Sequence, residues 1–361
     1  MSAGGIALAA LGVAGFAGAL FVASRIVPGR VHRGLAGREG GRRRYTLNGL
    51  RLLLLTAVVV AVVSATGLWS PAVIVRRFGE IVVAANVLAM LAALGLYVRG
   101  RRRQGRGLLE GGVAPAVREF FYGVQRDPAW AGVDLKLFSY RPSLIGLALI
   151  NVSFAFAQWE RHRRLAVPLL LYEAFTLLYV ANYFHFEHGM LSTWDVLEER
   201  FGWALVWGDY VLVPFFYSLP GWYLVDRVEP LPPVATIALI ALYAGGFWMF
   251  RGANEQKHRF KLDPAAPIWG RPPETLDGRL LVSGFWGLGR KLNYTGELLL
   301  YYAWTLPCGF GSLVPYLPAL WLTFFFPHRA RRDDRRCRAK YGALWTAYCS
   351  RVRWRMIPWL Y

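Results

Sequence analysis

Seven apolar runs, each close to the length that crosses a bilayer, limit the folds open to this chain. A transmembrane helix needs about 20 consecutive apolar residues. Hydrophobic residues make up 55% of the 361 residues, so the sequence predicts a polytopic membrane protein rather than a soluble domain. No positively charged segment precedes the first run, which we interpret as a span and not as a signal peptide. The runs cover residues 4 to 28, 50 to 70, 80 to 98, 143 to 159, 165 to 184, 203 to 225 and 234 to 250.

A further apolar stretch from Leu298 to Pro327 is interrupted by Pro307, Gly309, Gly311, Pro315 and Pro318. Such residues break or kink a helix, so the stretch is either two short helices or one long, kinked helix. With this stretch included, the sequence predicts an all-α fold, a polytopic membrane helical bundle of about nine or ten transmembrane helices.

The net charge of +20 lies mostly between the apolar runs. Basic residues beside spans are typical of cytoplasmic loops and anionic lipid, and this placement favours those interpretations over nucleic-acid binding. Simple alternation does not put all the basic loops on one side. A nucleotide cofactor would be available only in the cytoplasm, so we expect the C-terminus on that side and leave the orientation of the N-terminus open. The clusters are Arg42, Arg43, Arg44 and Arg51; Arg99 and Arg101 to Arg103; Arg161, Arg163 and Arg164; and the C-terminal segment.

Acidic groups inside apolar surroundings are costly, and they usually face a bundle interior or a cavity. Tyr172, Tyr179 and Tyr183 accompany them at spacings that share one helix face. The carboxyl group of Asp209 is surrounded by apolar residues, and it is either a proton donor or a structural hydrogen-bond anchor. The acidic residues in this region are Glu173, Glu187, Asp195 and Asp209.

His185 and His188 flank Glu187, a spacing that is compatible with a metal site. No third or fourth ligand follows at helical spacing, and aromatic and polar residues at the end of a span are typical of the headgroup region. Cys308, Cys337 and Cys349 lack metal-ligand spacing. The sequence therefore predicts no metal site and free cysteines.

Two basic segments follow the last clear span. The first, in a polar connection from Arg251 to Leu280, contains Lys257, Arg259 and Lys261. The second is the aromatic and basic segment from His328 to Tyr361. Each segment alone is compatible with a positive-inside flank, whereas together they could bind a phosphate group.

The C-terminal segment also has a pattern of its own. Arg329 and Asp333 are spaced to pair on a helix, with Lys340 on roughly the same side. A lipid headgroup would not need Asp333, whereas a carboxylate can accept hydrogen bonds from a ribose hydroxyl or a carboxamide.

Several ordered motifs make the chain resemble the sterol reductases, the family that contains delta-14 sterol reductase, 7-dehydrocholesterol reductase and the membrane half of the lamin B receptor. The resemblance covers nearly the whole chain. It is carried by GRRRYTLNGL from residue 41, GVQRDPAWAGVDLKLFSYRPS from 123, YVANYFHFEHGMLSTWDV from 179, ANEQKHRFK from 253, LLVSGFWGLGRKLNYTGEL from 280, LPCGFGSLVPY from 306 and HRARRDDRRCRAKYG from 328.

The resemblance implies a C-terminal, cytoplasm-facing pocket that binds NADPH, and a sterol that enters from the bilayer. It implies Tyr179 as the proton donor, with Asp209 and Glu187 as the alternatives. The residues implied in cofactor binding are Lys257, Lys261, Trp286, Asn293, Tyr294, Arg329, Asp333, Lys340 and Tyr348.

The implied organisation is an N-terminal part, residues 1–160, and a catalytic membrane part, residues 161–361. The implied reaction is reduction of a sterol double bond. The motifs favour the delta-7 bond, and a delta-14 or side-chain bond is the alternative. Three departures from the family pattern bear on activity: Ser143, Asn182 and Lys261. The Ala, Gly and Arg content suggests a bacterial inner membrane; a eukaryotic version would lie in the endoplasmic reticulum.

Two other classes share some of these features. An isoprenylcysteine-type methyltransferase also has a helical cofactor pocket and a basic, aromatic C-terminus, but it would use S-adenosylmethionine. A non-catalytic sterol-binding protein would keep the fold without turnover.

Overall fold

The computed structural model describes residues 1–34 and 44–361, so Arg42 and Arg43 of the first basic cluster lie outside the described residues. The described chain is mainly helical, as the sequence predicts. It divides into two compact units, Met1–Val228 and Glu229–Tyr361. The division between residues 1–160 and 161–361 that the sequence indicates stays a prediction.

Five helices have the length and composition to cross a membrane. The protein is therefore an integral membrane protein, although the predicted nine or ten spans are not confirmed. A sixth apolar helix, Gly49–Ala65, is shorter than these five. The five are Ala3–Ile26, Phe78–Arg103, Leu135–His162, Val167–His185 and Pro233–Leu262.

The first unit contains ten α-helices and two short antiparallel hairpins within its described residues. Its helices are α1 (Ala3–Ile26), α2 (Gly49–Ala65), α3 (Ala72–Arg76), α4 (Phe78–Arg103), α5 (Val113–Tyr122), α6 (Leu135–His162), α7 (Val167–His185), α8 (Trp194–Leu197), α9 (Trp203–Trp207) and α10 (Leu219–Leu224). Its strands are β1 (Arg30–Arg33), β2 (Arg44–Leu47), β3 (Ala129–Trp130) and β4 (Val133–Asp134), and a 3₁₀ helix covers Glu187–Ser192.

Helix α6 is the most buried of the five long helices. The Asp134 carboxylate accepts a hydrogen bond from the Leu137 N–H and caps its first turn. Near its other end, the buried Gln158 amide donates to the carbonyl oxygens of Leu224 at 2.9 Å and Arg227 at 3.1 Å, and accepts from the Ala166 N–H at 2.7 Å. One side chain therefore satisfies backbone groups from the start of α7 and the end of α10.

The predicted span from 203 to 225 is not one α-helix. Helix α9 passes into a π-helix, Gly208–Phe216, which contains Pro214, and α10 follows it. Because proline has no N–H and its ring clashes with the preceding turn, it disturbs the regular α-helical ladder. Asp209 lies in the first turn of the π-helix.

The second unit begins with α11 (Pro233–Leu262), which continues well beyond the predicted end of the apolar run at residue 250. The predicted polar connection is therefore helical as far as Leu262, and Lys257 and Lys261 lie on a helix. Glu255 pairs with Arg251 at 3.1 Å and with Arg259 at 2.8 Å, each four residues away. Such pairs stabilise a helix in its polar part.

The rest of the second unit consists of a short hairpin and four helices within the described residues. They are β5 (Thr275–Leu276), β6 (Leu280–Leu281), α12 (Phe285–Leu288), α13 (Leu292–Thr305), α14 (Leu317–Tyr341) and α15 (Ala343–Arg351), with 3₁₀ turns at Leu306–Cys308 and Val314–Tyr316. The apolar stretch from Leu298 is thus divided between two helices, one of the two predicted alternatives. Helix α14 ends at Tyr341, and the next residue, Gly342, has a φ of 56° that favours glycine.

Candidate functional site

Trp286 is the centre of a cluster that brings together three of the predicted cofactor residues. It is buried in α12, where its indole Nε1 donates to the carbonyl oxygen of Ala253 on α11 at 2.8 Å. The Lys257 ammonium lies 4.5 Å from the centre of the indole ring. The Tyr348 hydroxyl donates to the Trp286 carbonyl oxygen at 3.1 Å. Helices α11 and α15 therefore both contact Trp286 of α12, the first at its indole ring and the second at its backbone carbonyl.

An ion pair lies beside this cluster. The Lys291 ammonium, which is buried, contacts the half-buried carboxylate of Asp333. Lys257 is within electrostatic range of both groups. The structure thus connects Asp333, one of the predicted residues, to a lysine that the sequence analysis did not select.

The ion pair changes the titration of both partners. Burial alone would raise the pKa of the Asp333 carboxyl, but the Lys291 charge and hydrogen bond outweigh burial and lower that pKa. Burial alone would lower the pKa of Lys291, but the Asp333 carboxylate raises it overall. Both groups are therefore charged over the physiological range of pH.

Asn293 and Tyr294 stand in the first turn of α13. The Asn293 amide donates to the Asn254 Oδ1 at 3.3 Å, and its own Oδ1 is buried without a hydrogen-bond partner among the described residues. The Tyr294 ring stacks on Phe326 of α14 with 4.9 Å between ring centres. A buried acceptor with no partner is costly, so the Asn293 oxygen is suited to a donor from a ligand.

The remaining predicted cofactor residues are cations at the rim of the cluster. Lys257, Lys261 and Lys340 are exposed, and Arg329 is half-buried. Lys261 is within electrostatic range of the like-charged Lys340 and Arg336. Like charges at close range repel, and an anion bound among them relieves that repulsion.

Arg290 is a second residue that sequence reasoning missed. Its guanidinium donates to the Val352 carbonyl oxygen at 2.8 Å and lies 3.6 Å from the Asp334 carboxylate, which Arg355 also contacts at 2.6 Å. Neighbouring side chains on a helix point about 100° apart. Asp333 and Asp334 consequently have separate partners. Asp333 pairs with Lys291 beside the Trp286 cluster, whereas Asp334 pairs with Arg290 and Arg355 and holds the C-terminal segment.

The three predicted catalytic residues belong to the first unit. Tyr179 is buried on α7, and its ring centre is 5.6 Å from that of Tyr183. Asp209 is buried and accepts a hydrogen bond from the Ser139 hydroxyl of α6. Glu187 is buried, accepts from the Gly49 N–H at 2.8 Å and pairs with Arg141 at 3.3 Å. These contacts indicate that Glu187 supports the fold.

His188 stacks on His32 with 5.6 Å between ring centres. Within residues 1–34 and 44–361, no three His, Cys, Asp or Glu side chains are grouped in a way that could hold a metal ion. Cys308, Cys337 and Cys349 form no disulfide within the described part of the chain.

Comparison with known proteins identifies the family. The model of the Ergosterol biosynthesis ERG4/ERG24 family matches residues 10–361. A delta(14)-sterol reductase of Arabidopsis thaliana is 39% identical over 344 residues, which cover 95% of this chain and 93% of that protein. A delta(14)-sterol reductase of Methylotuvimicrobium alcaliphilum is 37% identical, with coverages of 92% and 79%. A probable 7-dehydrocholesterol reductase of Acanthamoeba polyphaga mimivirus is 31% identical, with coverages of 93% and 78%.

The chain therefore belongs to the ERG4/ERG24 family of sterol reductases. The prediction that it resembles this family is confirmed, and so is the prediction that it is a membrane enzyme of the oxidoreductase class.

The Lys291–Asp333 pair predicts a particular pH dependence. Asp333→Asn should lower the stability of the detergent-solubilised protein by roughly 1.5–3 kcal/mol near neutral pH, because it leaves Lys291 without its charge partner. The pKa of Asp333 is lower in the folded protein than in the unfolded chain, where it has the ordinary Asp value of about 3.9. The contribution of Asp333 to the free energy of unfolding is therefore present above that ordinary value and is lost as the pH falls through the lower pKa of the folded protein. The difference in Tm between wild type and variant should be steady from about pH 5 to pH 9 and shrink in acid.

Asp263→Asn provides the control, because Asp263 is exposed and its carboxylate accepts a local hydrogen bond from the Ala265 N–H at 3.0 Å. This variant should keep the wild-type Tm. A Tm difference for Asp333→Asn that persists unchanged below pH 3 would contradict the proposed electrostatic origin.

Proposed function

We propose that this enzyme uses NADPH to reduce a carbon–carbon double bond of a sterol. The observation that carries the proposal is the cluster in which Lys257 lies over Trp286, beside the Lys291–Asp333 pair. A buried aromatic floor and a rim of exposed cations suit a ligand that has both aromatic rings and phosphates. Membership of the sterol reductase family supports the same reaction.

Two observations test whether the residues of the second unit fit NADPH. The like-charged group of Lys261, Lys340 and Arg336 suits a phosphate, as the 2′-phosphate and diphosphate of NADPH require. The unpartnered Asn293 oxygen suits an N–H or O–H donor such as a carboxamide or ribose hydroxyl. Both features fit the proposed cofactor.

The proposed roles of the cofactor residues follow from their chemistry. Lys257, Lys261, Arg329 and Lys340 bind phosphate oxygens. Asp333 accepts a hydrogen bond from a ribose hydroxyl or the carboxamide, and Lys291 fixes its position. Trp286, Tyr294 and Tyr348 form the walls that exclude water, and Asn293 offers the acceptor oxygen described above.

Reduction of an isolated or conjugated double bond needs a hydride at one carbon and a proton at the other. The bound cofactor supplies the hydride. We propose Tyr179 as the proton donor and Asp209 as the alternative, because both are buried acids of the first unit. Glu187 is the third candidate, but its ion pair with Arg141 favours a structural role.

The relatives favour the delta-14 bond as the one reduced. Those with the higher identities described above are named delta(14)-sterol reductase, whereas the relative named probable 7-dehydrocholesterol reductase is less similar. The motifs around Arg141, in IWGRPP and in the C-terminal segment favoured the delta-7 bond, which is the second candidate. We propose delta-14 reduction first because the identity extends over nearly the whole chain.

The proposed partners are a sterol that enters from the bilayer and the surrounding membrane lipids. A nucleotide cofactor is available in the cytoplasm, so we propose that the second unit's cluster faces that side. The host membrane is a bacterial inner membrane by composition, or the endoplasmic reticulum in a eukaryote. Family membership favours the reductase over both the methyltransferase and the non-catalytic alternative.

The first test measures which sterol is reduced. Purified enzyme, NADPH and a sterol with a double bond at C14 should give a product heavier by two hydrogen atoms, as mass spectrometry would show. A sterol with the delta-7 bond should react more slowly. Faster turnover of the delta-7 sterol would reverse the assignment, and no reduction of either sterol would contradict the proposed function.

The second test measures cofactor binding. Lys257→Ala should weaken NADPH binding about tenfold to a hundredfold in calorimetric titration, because a charge-assisted phosphate contact and the cation over Trp286 are lost. Arg259→Ala is the matched control, since this exposed cation on the same helix pairs with Glu255 in the structure. Equal losses in the two variants would indicate an effect of net charge alone, and binding of S-adenosylmethionine in place of NADPH would contradict the proposal.

The third test concerns the proton donor. Tyr179→Phe should lower kcat by about a hundredfold to ten-thousandfold while leaving the Kd for NADPH unchanged, because only the acidic hydroxyl is removed. Tyr183→Phe, which removes the hydroxyl of the adjacent ring, should retain most of the activity. If Tyr179→Phe is fully active, Asp209→Asn becomes the variant expected to lose turnover.

A further inference from the structure

Helix α4 carries an open groove that changes from apolar to basic along its length. Leu91, Leu94, Gly95 and Val98 line the apolar part, and the basic part begins one residue later. The volume of the groove is about 620 Å³. The spacing of these residues places them on one face of the helix. The basic end is lined by Arg99, Arg102 and Arg103.

The apolar part of the groove is open to the outside. Leu91 is 57% exposed and Leu94 is 48% exposed. A Cβ atom placed on Gly95 would have no atom within 4 Å. The groove therefore has room beside the backbone that none of the described residues fills, and its lining is suited to a hydrocarbon chain.

The four arginines near the end of α4 differ in their surroundings. Arg101 is fully buried, donates to the carbonyl oxygens of Leu108 and Glu110, and pairs with Glu119 at 3.2 Å. Arg102 and Arg103 are exposed and have no ion pair within residues 1–34 and 44–361. Arg101 thus supports the fold, whereas its two neighbours keep their charges available.

The other groups near the basic end do not neutralise these charges. Arg99 uses one N–H for the carbonyl oxygen of Ala129 at 2.6 Å. Glu119 is occupied by Arg101 and Arg106, and the Glu110 carboxylate accepts from the Gly107 N–H at 2.9 Å. The basic end of the groove therefore keeps a net positive charge.

An adjacent helix indicates the level of the membrane surface. The apolar side chains of Leu109, Val113, Val117 and Phe121 follow one another at intervals of four residues, before and along α5, and all are exposed. A short helix with one apolar, exposed face is typical of the lipid headgroup boundary. Helix α5 packs against α4 within the first unit, so the arginines lie near that boundary.

We propose that this groove binds one anionic diacyl phospholipid. The phosphate is bound by Arg102 and Arg103, with Arg99 beside them, and an acyl chain lies along Leu91, Leu94 and Val98 across Gly95. The charge of the arginines selects an anionic headgroup, because a zwitterionic choline lipid would bring a positive group to the same place. This site differs from the Trp286 cluster of the second unit in both residues and ligand.

The test uses full-length protein reconstituted in vesicles of equal parts phosphatidylcholine and phosphatidylglycerol, extracted in mild detergent and weighed by native mass spectrometry. Wild type should retain one phosphatidylglycerol. Arg102→Gln/Arg103→Gln should reduce that occupancy roughly tenfold, because two phosphate contacts are lost. Gly95→Leu should reduce it as well, since its Cβ meets no described atom within 4 Å and its side chain occupies space in the groove.

The matched control is Arg25→Gln/Arg30→Gln, which removes the same charge from two exposed arginines outside the groove. It should retain the lipid as wild type does, and each variant's Tm reports whether it is folded. Equal occupancy in wild type and Gly95→Leu would overturn the proposal, as would equal loss in the control or equal retention of phosphatidylcholine. A dimer that Gly95→Leu disperses would instead assign the groove to a second copy of the chain.

Discussion

A buried ion pair between Arg141 and Glu187 holds the first unit together. Arg141 of α6 also donates to the Thr46 carbonyl oxygen of β2 at 2.7 Å, and Glu187 accepts from the Gly49 N–H at the start of α2. Burial raises the pKa of Glu187, and the Arg141 charge offsets part of that effect. Neither charge has water to replace its partner, so loss of either would leave an uncompensated charge in the interior. The packing of α2, α6, α7 and the first hairpin depends on this pair.

The second unit uses charge in a different way. Its buried Lys291 pairs with Asp333 and its buried Arg290 with Asp334, whereas its phosphate-binding candidates Lys261 and Lys340 are exposed. The paired groups fix the helices and the C-terminal segment, because a buried charge must have a partner. The exposed cations remain able to bind an anion. This division of roles explains why the C-terminal segment from His328 to Tyr361 is so basic and yet contains the adjacent aspartates Asp333 and Asp334.

Much of this organisation could be predicted from the sequence because apolar length and helix periodicity are local properties. The helices around Tyr179 and Lys340 lie where the patterns placed them. Lys291 could not be selected, since its importance comes from Asp333, which is 42 residues away along the chain. The helical course of α11 through Lys257 was missed for another reason. The polar composition of this segment is typical of a loop between helices. The ion pairs of Glu255 with Arg251 and Arg259 form only when the segment is helical, so composition alone does not show them.

The π-helix Gly208–Phe216 determines which way the residues of the following helix, α10, face. A π-helical turn accommodates one residue more than an α-helical turn, so loss of a single residue there would restore the α-helix. Because a π-turn holds its extra residue within the same turn, α10 would then keep its orientation, whereas loss of a residue from α9 would turn α10 by about 100°. Gly221, where a Cβ would overlap the rings of Phe154 and Tyr172, would then no longer face them. The π-helix is therefore the point in this segment at which the chain can change length by one residue without changing how α10 packs.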